Sequence, residues 1–534
     1  MKQPIFSIHM ARYKSLLPIL LLCVSLYACK NKQTIPPDVI EVINTAGANK
    51  HELLGVIEHF RSSPLKLKAA YYLIKNLKNQ YHYEGNGINE QKTLFNTTDS
   101  LLHNGQVITN TLWDSITINS QFTNLTSAPV HVVWDKDVIS SQFLIKNIDG
   151  AFISWQYPWA RSMSFEQFCE YILPYKILDE DMDNWREECQ QKYKWALILF
   201  KNCTDSRLVC SRINDTLKTE FEIGGHRISS RFDVTYSDLI KVRTGVCDDA
   251  AQYATYVMRA MGLPVSIDYC RFWANKNSGH AWCSLIFKGK TLPFEGCESN
   301  PGETKIEFTK DKWIRRKSAK ILRHCFHNEI ESAELSANLN GVYKTLLINT
   351  KIKDVTSEYT DVGDIRLRAT NNEFNSQYIY LCVFNSLSWR PIYYSHINWF
   401  NFATFKKMAK DIVYIPMYIV EGEQIAAGPP FVFRRDGQKL ILSPDIDHKV
   451  TVLLKSKYPE DRYEEDKANN IIPGEHYELF YWDNNWLSLG KQTATEKTLN
   501  YKDVPDNALL WLRDLDKGKQ ERIFVYKNNT QIWW

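Results

Sequence analysis

The sequence predicts an α+β protein with three successive regions: a mainly helical N-terminal region, a mixed core and a β-rich C-terminal region. Apolar residues recur with helical spacing between residues 51 and 220, and a helix followed by strands is expected at about residues 247–287. Short β-rich runs separated by turns follow after about residue 350. With 534 residues, 44% of them hydrophobic, the chain is long enough to bury several cores.

The charges argue against a nucleic-acid partner. Lys and Arg number 65 and Asp and Glu number 61, which gives a net charge of +4, whereas a nucleic-acid-binding surface concentrates basic residues on one face or run. The 12 cysteines are too dispersed for a small disulfide-stapled domain. Each cysteine is therefore interpreted separately.

The first residues have the layout of a signal peptide. Basic residues and no acid precede the apolar run Leu16–Ala28, which is shorter than the ~20 residues of a membrane-spanning helix. Cys29 directly follows a small residue, and this end of the run resembles a bacterial lipobox. We expect residues 1–28 to be removed and Cys29 to carry a membrane-anchoring lipid, with an ordinary secreted chain as the alternative.

The residues after Cys29 lack an acidic run resembling the surface-export signal of such bacteria. The sequence therefore favours an exported lipoprotein on the periplasmic side of the bacterial outer membrane. Residues 29–50 are polar, contain Pro36-Pro37 and are predicted to form a tether.

Residues 51–220 are predicted to form a mainly helical domain. Ser63 followed by Pro64 is typical of a helix start, and Ser164 and Gln167 have the spacing of a capping box. Asp181–Phe200 is predicted to be another helix. The many aromatic side chains of this region are expected to pack in its core and not to bind a ligand.

Residues 221–345 contain the segment that carries chemistry. Apolar residues from Ala250 to Met261 recur with helical spacing, so one amphipathic helix is expected with Cys247 at its N-terminal end. A thiol there lies beside unpaired backbone N–H groups and the positive end of the helix dipole, which stabilise a thiolate. Asp248 and Asp249 suit the first turn, although their charge partly opposes that effect.

A strand hairpin is predicted downstream of this helix. Gly279–Phe287 is β-rich, and a turn leads from it to Thr291–Gly296. Such a hairpin brings His280 and Glu295 together across the ladder. Cys247 would then be the nucleophile, His280 the general base and Glu295 the acid that orients the imidazole.

Together these features resemble the core of the transglutaminase-like superfamily. The segments are Gly245-Val246-Cys247, the helix end Arg259–Pro264, His280-Ala281-Trp282 and an acid 15 positions after the histidine. The resemblance covers about residues 235–300 and implies a papain-like Cys-His-Asp triad on an α+β fold, in which Glu295 replaces the usual Asp. More loosely, the whole layout resembles exported transglutaminase-domain proteins of Bacteroides-type bacteria.

The other cysteines leave two alternatives open. Cys270, Cys283 and Cys297 with His280 could form a zinc site, because thiolates and imidazoles bind zinc, but no Cys-x-x-Cys pair supports it. No metal or cofactor is therefore expected. Cys203 and Cys210 flank a short loop and could form a disulfide.

Two β-sandwich-like modules are predicted, at residues 346–458 and 459–534, separated near the charged segment Pro459–Lys467. Most of their aromatic residues are expected to lie in the cores. A sugar-stacking platform among them is the alternative, with Trp533-Trp534 expected to be the most exposed pair. The tryptophans considered are Trp389, Trp399, Trp482, Trp486, Trp511, Trp533 and Trp534.

The sequence thus favours a lipid-anchored cysteine peptidase, amidase or acyltransferase that acts on amide bonds of a protein or peptide. The chain has no Asp-x-Asp-x-Asp-Gly calcium loop, which favours hydrolysis over crosslinking. The alternative is an inactive transglutaminase-like scaffold lipoprotein that captures a glycan or protein through its β modules.

Overall fold

The structure is a computed structural model that describes residues 34–105, 129–224, 232–303, 316–327, 351–370, 372–459, 469–518 and 520–534. The predicted signal peptide, residues 1–28, and the predicted lipid site Cys29 lie outside these ranges. Within them, no helix combines the length and apolar character that crossing a bilayer requires. The predicted mixture of helices and strands is confirmed.

The N-terminal region contains nine α-helices and one short strand pair within the described residues. The helices are α1 (Pro37–Thr45), α2 (Lys50–His59), α3 (Pro64–Asn76), α4 (Asn86–His103), α5 (Ser141–Trp155), α6 (Phe165–Tyr171), α7 (Trp185–Lys192), α8 (Trp195–Leu199) and α9 (Ser206–Glu220). Strands β1 (Tyr81–Glu84) and β2 (His131–Trp134) pair in antiparallel orientation. Apolar side chains of α1, α2, α3, α5 and α6 pack into one hydrophobic cluster.

Helix α1 occupies residues that were expected to belong to the tether. Pro37 is its first residue, and Val39 and Val42 are fully buried in the N-terminal cluster. Proline is favourable at the first helical position, because the N–H that it lacks has no partner there. Residues 37–45 of the predicted tether are therefore helical and packed into the N-terminal cluster.

The predicted helix starts are present. Ser164 and Gln167 form both bonds of a capping box at the start of α6, and α3 begins at Pro64 without a capping bond from the Ser63 side chain. The helix expected over residues 181–200 is instead two shorter helices, α7 and α8. The chain turns between them at Tyr193, whose buried ring packs into the core.

The central region places one 14-residue helix beside a five-stranded sheet. Its elements are β3 (Glu222–Ile223), α10 (Tyr236–Val242), β4 (Thr244–Gly245), α11 (Cys247–Ala260), β5 (Val265–Cys270), β6 (His280–Phe287), β7 (Lys290–Phe294), β8 (Leu322–His324) and β9 (Ile352–Asp354). The antiparallel sheet has the order β7-β6-β5-β8-β9. The predicted helix at Cys247 and the predicted hairpin are both present.

Helix α11 is buried on two sides. The sheet covers one side through Cys283 and Leu285, and helices α7 and α9 cover the other through Trp185 and Ile213, all within one hydrophobic cluster. The boundary predicted at residue 220 therefore divides a single core. Helix spacing predicted α9 but did not reveal which surface it covers.

The central sheet also continues past the boundary predicted at residue 345. Strand β9 hydrogen-bonds to β8, and the short helix α12 (Thr356–Tyr359) follows it directly. The hydroxyl of Tyr359 accepts from the indole N–H of Trp282, 3.0 Å away. Residues 352–359 thus belong to the core and not to the first β module.

The C-terminal region consists of two β modules. The first contains β10 (Val362–Arg368), β11 (Tyr378–Asn385), β12 (Ser388–His396), β13 (Phe402–Ala409), β14 (Ile412–Val420), β15 (Glu423–Ala426), β16 (Phe431–Phe433) and β17 (Lys439–Ile441). The second contains β18 (Asp445–Leu454), β19 (His476–Asp483), β20 (Asn485–Thr493), β21 (Leu499–Asp506), β22 (Leu510–Asp514), β23 (Ile523–Lys527) and β24 (Thr530–Trp533). In each, a two-stranded sheet, β10-β13 or β18-β21, packs on a larger antiparallel sheet.

The division between these modules lies earlier than predicted. Strand β18 pairs with β21 of the second module, so that module begins before residue 459. The two modules also share one buried cluster, in which Phe384 and Trp389 of the first pack against Trp482 and Trp511 of the second. The charged segment Pro459–Lys467, which suggested the division, lies outside the described residues except for Pro459.

Candidate active site

The start of α11 is shaped by a close approach between Gly245 and Asp249. The carboxylate of Asp249 accepts a hydrogen bond from the backbone N–H of Val246, 2.9 Å away. A Cβ on Gly245 would lie 2.5 Å from this carboxylate, so the glycine lets the chain fold tightly into the helix. Cys247 is the first residue of α11 and is partly exposed.

His280 and Glu295 meet beside the end of the hairpin. His280 is the first residue of β6, and Glu295 directly follows Phe294, the last residue of β7. Their side chains are 18% and 9% exposed, and Nε2 of His280 lies 2.8 Å from Oε1 of Glu295. The Glu295 carboxylate accepts this hydrogen bond, which leaves Nδ1 as the ring nitrogen that is free of Glu295.

The imidazole of His280 is electrostatically coupled to both neighbours. Burial lowers its pKa, but hydrogen bonds with Cys247 and Glu295 and the charges of these two groups outweigh burial and raise the pKa of His280 to about 10. The ring is therefore an imidazolium at neutral pH. An imidazolium between a thiol and a carboxylate is the arrangement that stabilises a cysteine thiolate.

Two tryptophans flank the imidazole. The ring centroids of Trp273 and Trp282 lie 6.3 Å and 6.0 Å from that of His280. Both indoles are buried. They limit access of water to the His280 side of the site, where a lower local dielectric strengthens the bond to Glu295.

Glu295 is held by a residue that the sequence did not single out. Asn214 of α9 is fully buried, and its amide donates to the backbone carbonyl of Glu295, 3.3 Å away, and accepts from the N–H of Cys297, 2.9 Å away. Gly296 passes over α11 so closely that a Cβ there would lie 2.7 Å from Ala254. The acid is thus fixed against the helix that carries Cys247.

The sequence of α9 does indicate that Asn214 has a special role, because it is a polar residue on the buried face of the helix. Apart from Ser206 in the first turn, this buried face is otherwise apolar, with Val209, Ile213 and Leu217 around the asparagine. A polar residue inside an apolar stripe needs a hydrogen-bond partner, although the sequence alone does not say where that partner lies.

The alternatives for the remaining cysteines find no matching geometry in the described part of the chain. The thiol of Cys283 lies 3.4 Å from the carbonyl of Ala251, and that of Cys270 lies 3.2 Å from the carbonyl of Phe272. No group of three or more His, Cys, Asp or Glu residues there is arranged to hold a metal ion. Cys203 and Cys210 are both free thiols, so the disulfide considered between them is absent.

Comparison with solved structures gives several likenesses, two of which follow. No protein-family profile and no curated protein matches the chain. A crystal structure described as a candidate cysteine protease from Cytophaga hutchinsonii is 20% identical over 24% of this chain and 42% of its own length, with a TM-score of 0.19. Red sea bream transglutaminase is 10% identical over 70% of this chain and 80% of its own, with a TM-score of 0.22.

Both superpositions are too poor to carry an argument about this chain. The match spans less than half of the Cytophaga protein. The case for the site therefore depends on the geometry of Cys247, His280 and Glu295.

Proposed function

We propose that the protein is a cysteine-nucleophile enzyme that acts on amide bonds through Cys247, His280 and Glu295. The observation that carries this proposal is the contact chain at the start of α11. There a hydrogen bond with Cys247 is among the causes that raise the pKa of His280, and Nε2 of His280 lies 2.8 Å from Oε1 of Glu295. Sequence spacing brought these residues into one hypothesis, and their geometry supports it.

The proposed reaction begins with attack of the Cys247 sulfur on a substrate carbonyl carbon. Backbone N–H groups in the first turn of α11 are suited to donate to the oxyanion. As the C–N bond breaks, His280 gives its proton to the leaving amine, and a thioester to Cys247 forms. Water or an amine then attacks the thioester, with His280 accepting the proton and the thiolate leaving.

The substrate class is proposed to be protein or peptide, with hydrolysis favoured over transfer to an amine. Export and anchoring through a lipid on Cys29 are part of the same proposal. Intact-mass analysis of the protein purified from a Gram-negative host tests the anchor. A chain beginning at Cys29 with added acyl mass supports it, and a chain beginning elsewhere without acyl mass contradicts it.

A second candidate function is a scaffold without turnover, and one observation favours it. Trp399, on the loop between β12 and β13, is 99% exposed, whereas the other C-terminal tryptophans considered are at least partly buried. Exposed aromatic rings stack on sugars or insert into partner surfaces. Loss of glycan retention on Trp399→Ala, with no amide turnover by the wild type, would favour this candidate.

A thiol-reactive amide probe tests the enzyme proposal. We expect it to label the wild type once, and labelling should be lost in Cys247→Ala and strongly reduced in His280→Ala. Glu295→Gln should slow labelling without unfolding the chain, because it keeps an acceptor but removes the charge. Equal labelling of all four proteins would contradict the proposal, and Cys210→Ala, which removes a buried thiol, serves as the matched control.

A further inference from the structure

The loop of residues 271–279 connects β5 to β6 and ends directly before His280. Trp273 of this loop is buried, and its ring lies over the imidazole at 6.3 Å between centroids. Gly279 lies so close to the backbone carbonyls of Cys270 and Arg271 that a Cβ there would overlap both. The position of the imidazole therefore depends on the shape of this loop.

Asn385, the last residue of β11 in the first β module, bonds the loop with its whole side chain. It is 0% exposed. Its Nδ2 lies 2.9, 2.7 and 2.9 Å from the carbonyl oxygens of Trp273, Lys276 and Ser278, which share its two hydrogens, and its Oδ1 accepts from the N–H of Ser278 at 3.1 Å. One amide thus ties the start of the loop to its end.

The hairpin that carries Asn385 has a strained turn. Ser386 and Leu387 have φ values of +49° and +61°, a region that disfavours residues with a Cβ. The N–H of Ser386 donates to Oδ1 of Asn277 in the loop, 2.9 Å away. Such a turn persists where its surroundings hold it, and here they include the loop before His280.

Arg522 of the second β module reaches the same loop. Its buried guanidinium donates to the carbonyl of Ala274 at 2.5 Å and to Oδ1 of Asn277 at 3.3 Å. Its third hydrogen bond among the described residues goes to an oxygen of Trp534, 3.4 Å away. The guanidinium also lies 5.6 Å from the ring centroid of Phe384, and two of its three hydrogen bonds go to the loop that precedes the histidine.

We propose that Asn385 and Arg522 are positioning residues for His280, which fix the loop of residues 271–279 so that the imidazole meets both Cys247 and Glu295. Both β modules then contribute to catalysis without touching the substrate. This inference rests on the proposed function, because it assigns a role to residues around the same site.

The test compares Asn385→Ala and Arg522→Lys with Asn147→Ala in the full chain. Asn147 is a buried asparagine of α5 that donates to the carbonyl of Leu173 at 2.8 Å. It therefore matches Asn385 in type but lies beside the N-terminal hydrophobic cluster. Two readouts are used: the titration of the His280 imidazole by ¹⁵N NMR, and the rate of Cys247 alkylation by iodoacetamide at pH 6.5.

Asn385→Ala and Arg522→Lys are both expected to lower the pKa of His280 toward its ordinary value of about 6.5 and to slow alkylation of Cys247 about tenfold. Asn147→Ala is expected to lower the unfolding midpoint while leaving both readouts at wild-type values. If Asn385 and Arg522 only stabilise the fold, Asn385→Ala and Arg522→Lys will behave like Asn147→Ala. That result would overturn the proposal. If Asn385→Ala does not fold by circular dichroism, the conservative Arg522→Lys variant decides.

The positioning role and the proposed function fail in different ways. One outcome is that the pKa of His280 shifts in Asn385→Ala and Arg522→Lys while the wild type forms no adduct with any amide substrate. That outcome contradicts the proposed function and supports the positioning role. The other outcome is amide turnover by the wild type with no change in the pKa of His280 in Asn385→Ala and Arg522→Lys. That outcome supports the proposed function and contradicts the positioning role.

Discussion

At the scale of single residues, the three proposed catalytic groups could be predicted because each lies in a local pattern. Cys247 opens a helix, and His280 and Glu295 lie on one hairpin, so short-range spacing brings them together. Asn214 and Asn385 could not be predicted in the same way. Their partners lie 81 to 112 positions away in the sequence, and nothing local shows which segments will meet.

The raised pKa of His280 predicts a specific dependence of stability on pH. The folded value of about 10 exceeds the unfolded value of about 6.5. The stabilisation is therefore complete below about pH 6.5 and is lost as the pH rises through about 10.

Urea unfolding of the wild type and of His280→Gln at several pH values checks this dependence. We expect the wild type to exceed the variant by a few kcal/mol near pH 6, with the difference falling steadily toward pH 10. A difference that grows with pH would show that His280 is held in its neutral form.

Removal of the charge of Asp248 is expected to increase the reactivity of Cys247. Its Oδ2 lies 3.7 Å from Sγ of Cys247, and its negative charge opposes charge on the sulfur. Asp248→Asn should therefore speed alkylation of Cys247 at neutral pH by about twofold to fivefold, more at low salt than at high salt. Slower alkylation would mean that Asp248 supports the thiolate through another contact, and Asp447→Asn on the distant strand β18 provides the control.

At the scale of elements, sequence patterns predicted helices and strands better than they predicted the ends of domains. The helix from Cys247, the hairpin and the capping box at Ser164 follow from local rules and are present. Helix α1 was missed because Pro36-Pro37 resembles a linker, although Val39 and Val42 already have helical spacing. The boundaries at residues 220, 345 and 458 failed because packing partners decide them.

The burial of α1 gives a matched pair of substitutions. Val39 is fully buried and Ile40 is 40% exposed on the same helix. Val39→Ala should lower the free energy of unfolding by about 2 kcal/mol through lost burial and a cavity. Ile40→Ala should change it by less than about 0.5 kcal/mol. Equal small effects in a denaturant titration would show that residues 37–45 are a tether after all.

At the scale of the whole molecule, the β modules belong to the same structural unit as the active-site loop. Their two large sheets share a tryptophan-rich cluster, and Asn385 and Arg522 extend from them to the loop before His280. Composition and strand spacing predicted two modules but not their contact, since the buried residues of the shared cluster are dispersed between positions 378 and 523. The two β modules therefore contact the candidate active site through the loop before His280.

Trp511 in this shared cluster distinguishes packing from hydrogen bonding. It is buried against Phe384 and Trp486, and its indole N–H has no hydrogen-bond partner among the residues that the structure describes. Trp511→Ala should therefore lower stability by about 3–5 kcal/mol, whereas Trp511→Phe should cost clearly less, because it keeps a ring and removes an unsatisfied donor. Calorimetry of both variants checks this, and equal losses would contradict the packing account.

The central claim is that Cys247 forms a covalent acyl intermediate with the help of His280. It is tested most directly by mass spectrometry of the chain quenched during reaction with a chromogenic peptide anilide. We predict one acyl group per chain, located on the peptide that contains Cys247 and absent in Cys247→Ala and His280→Ala. An acyl group on a different residue, or anilide cleavage that persists in Cys247→Ala, would contradict the account.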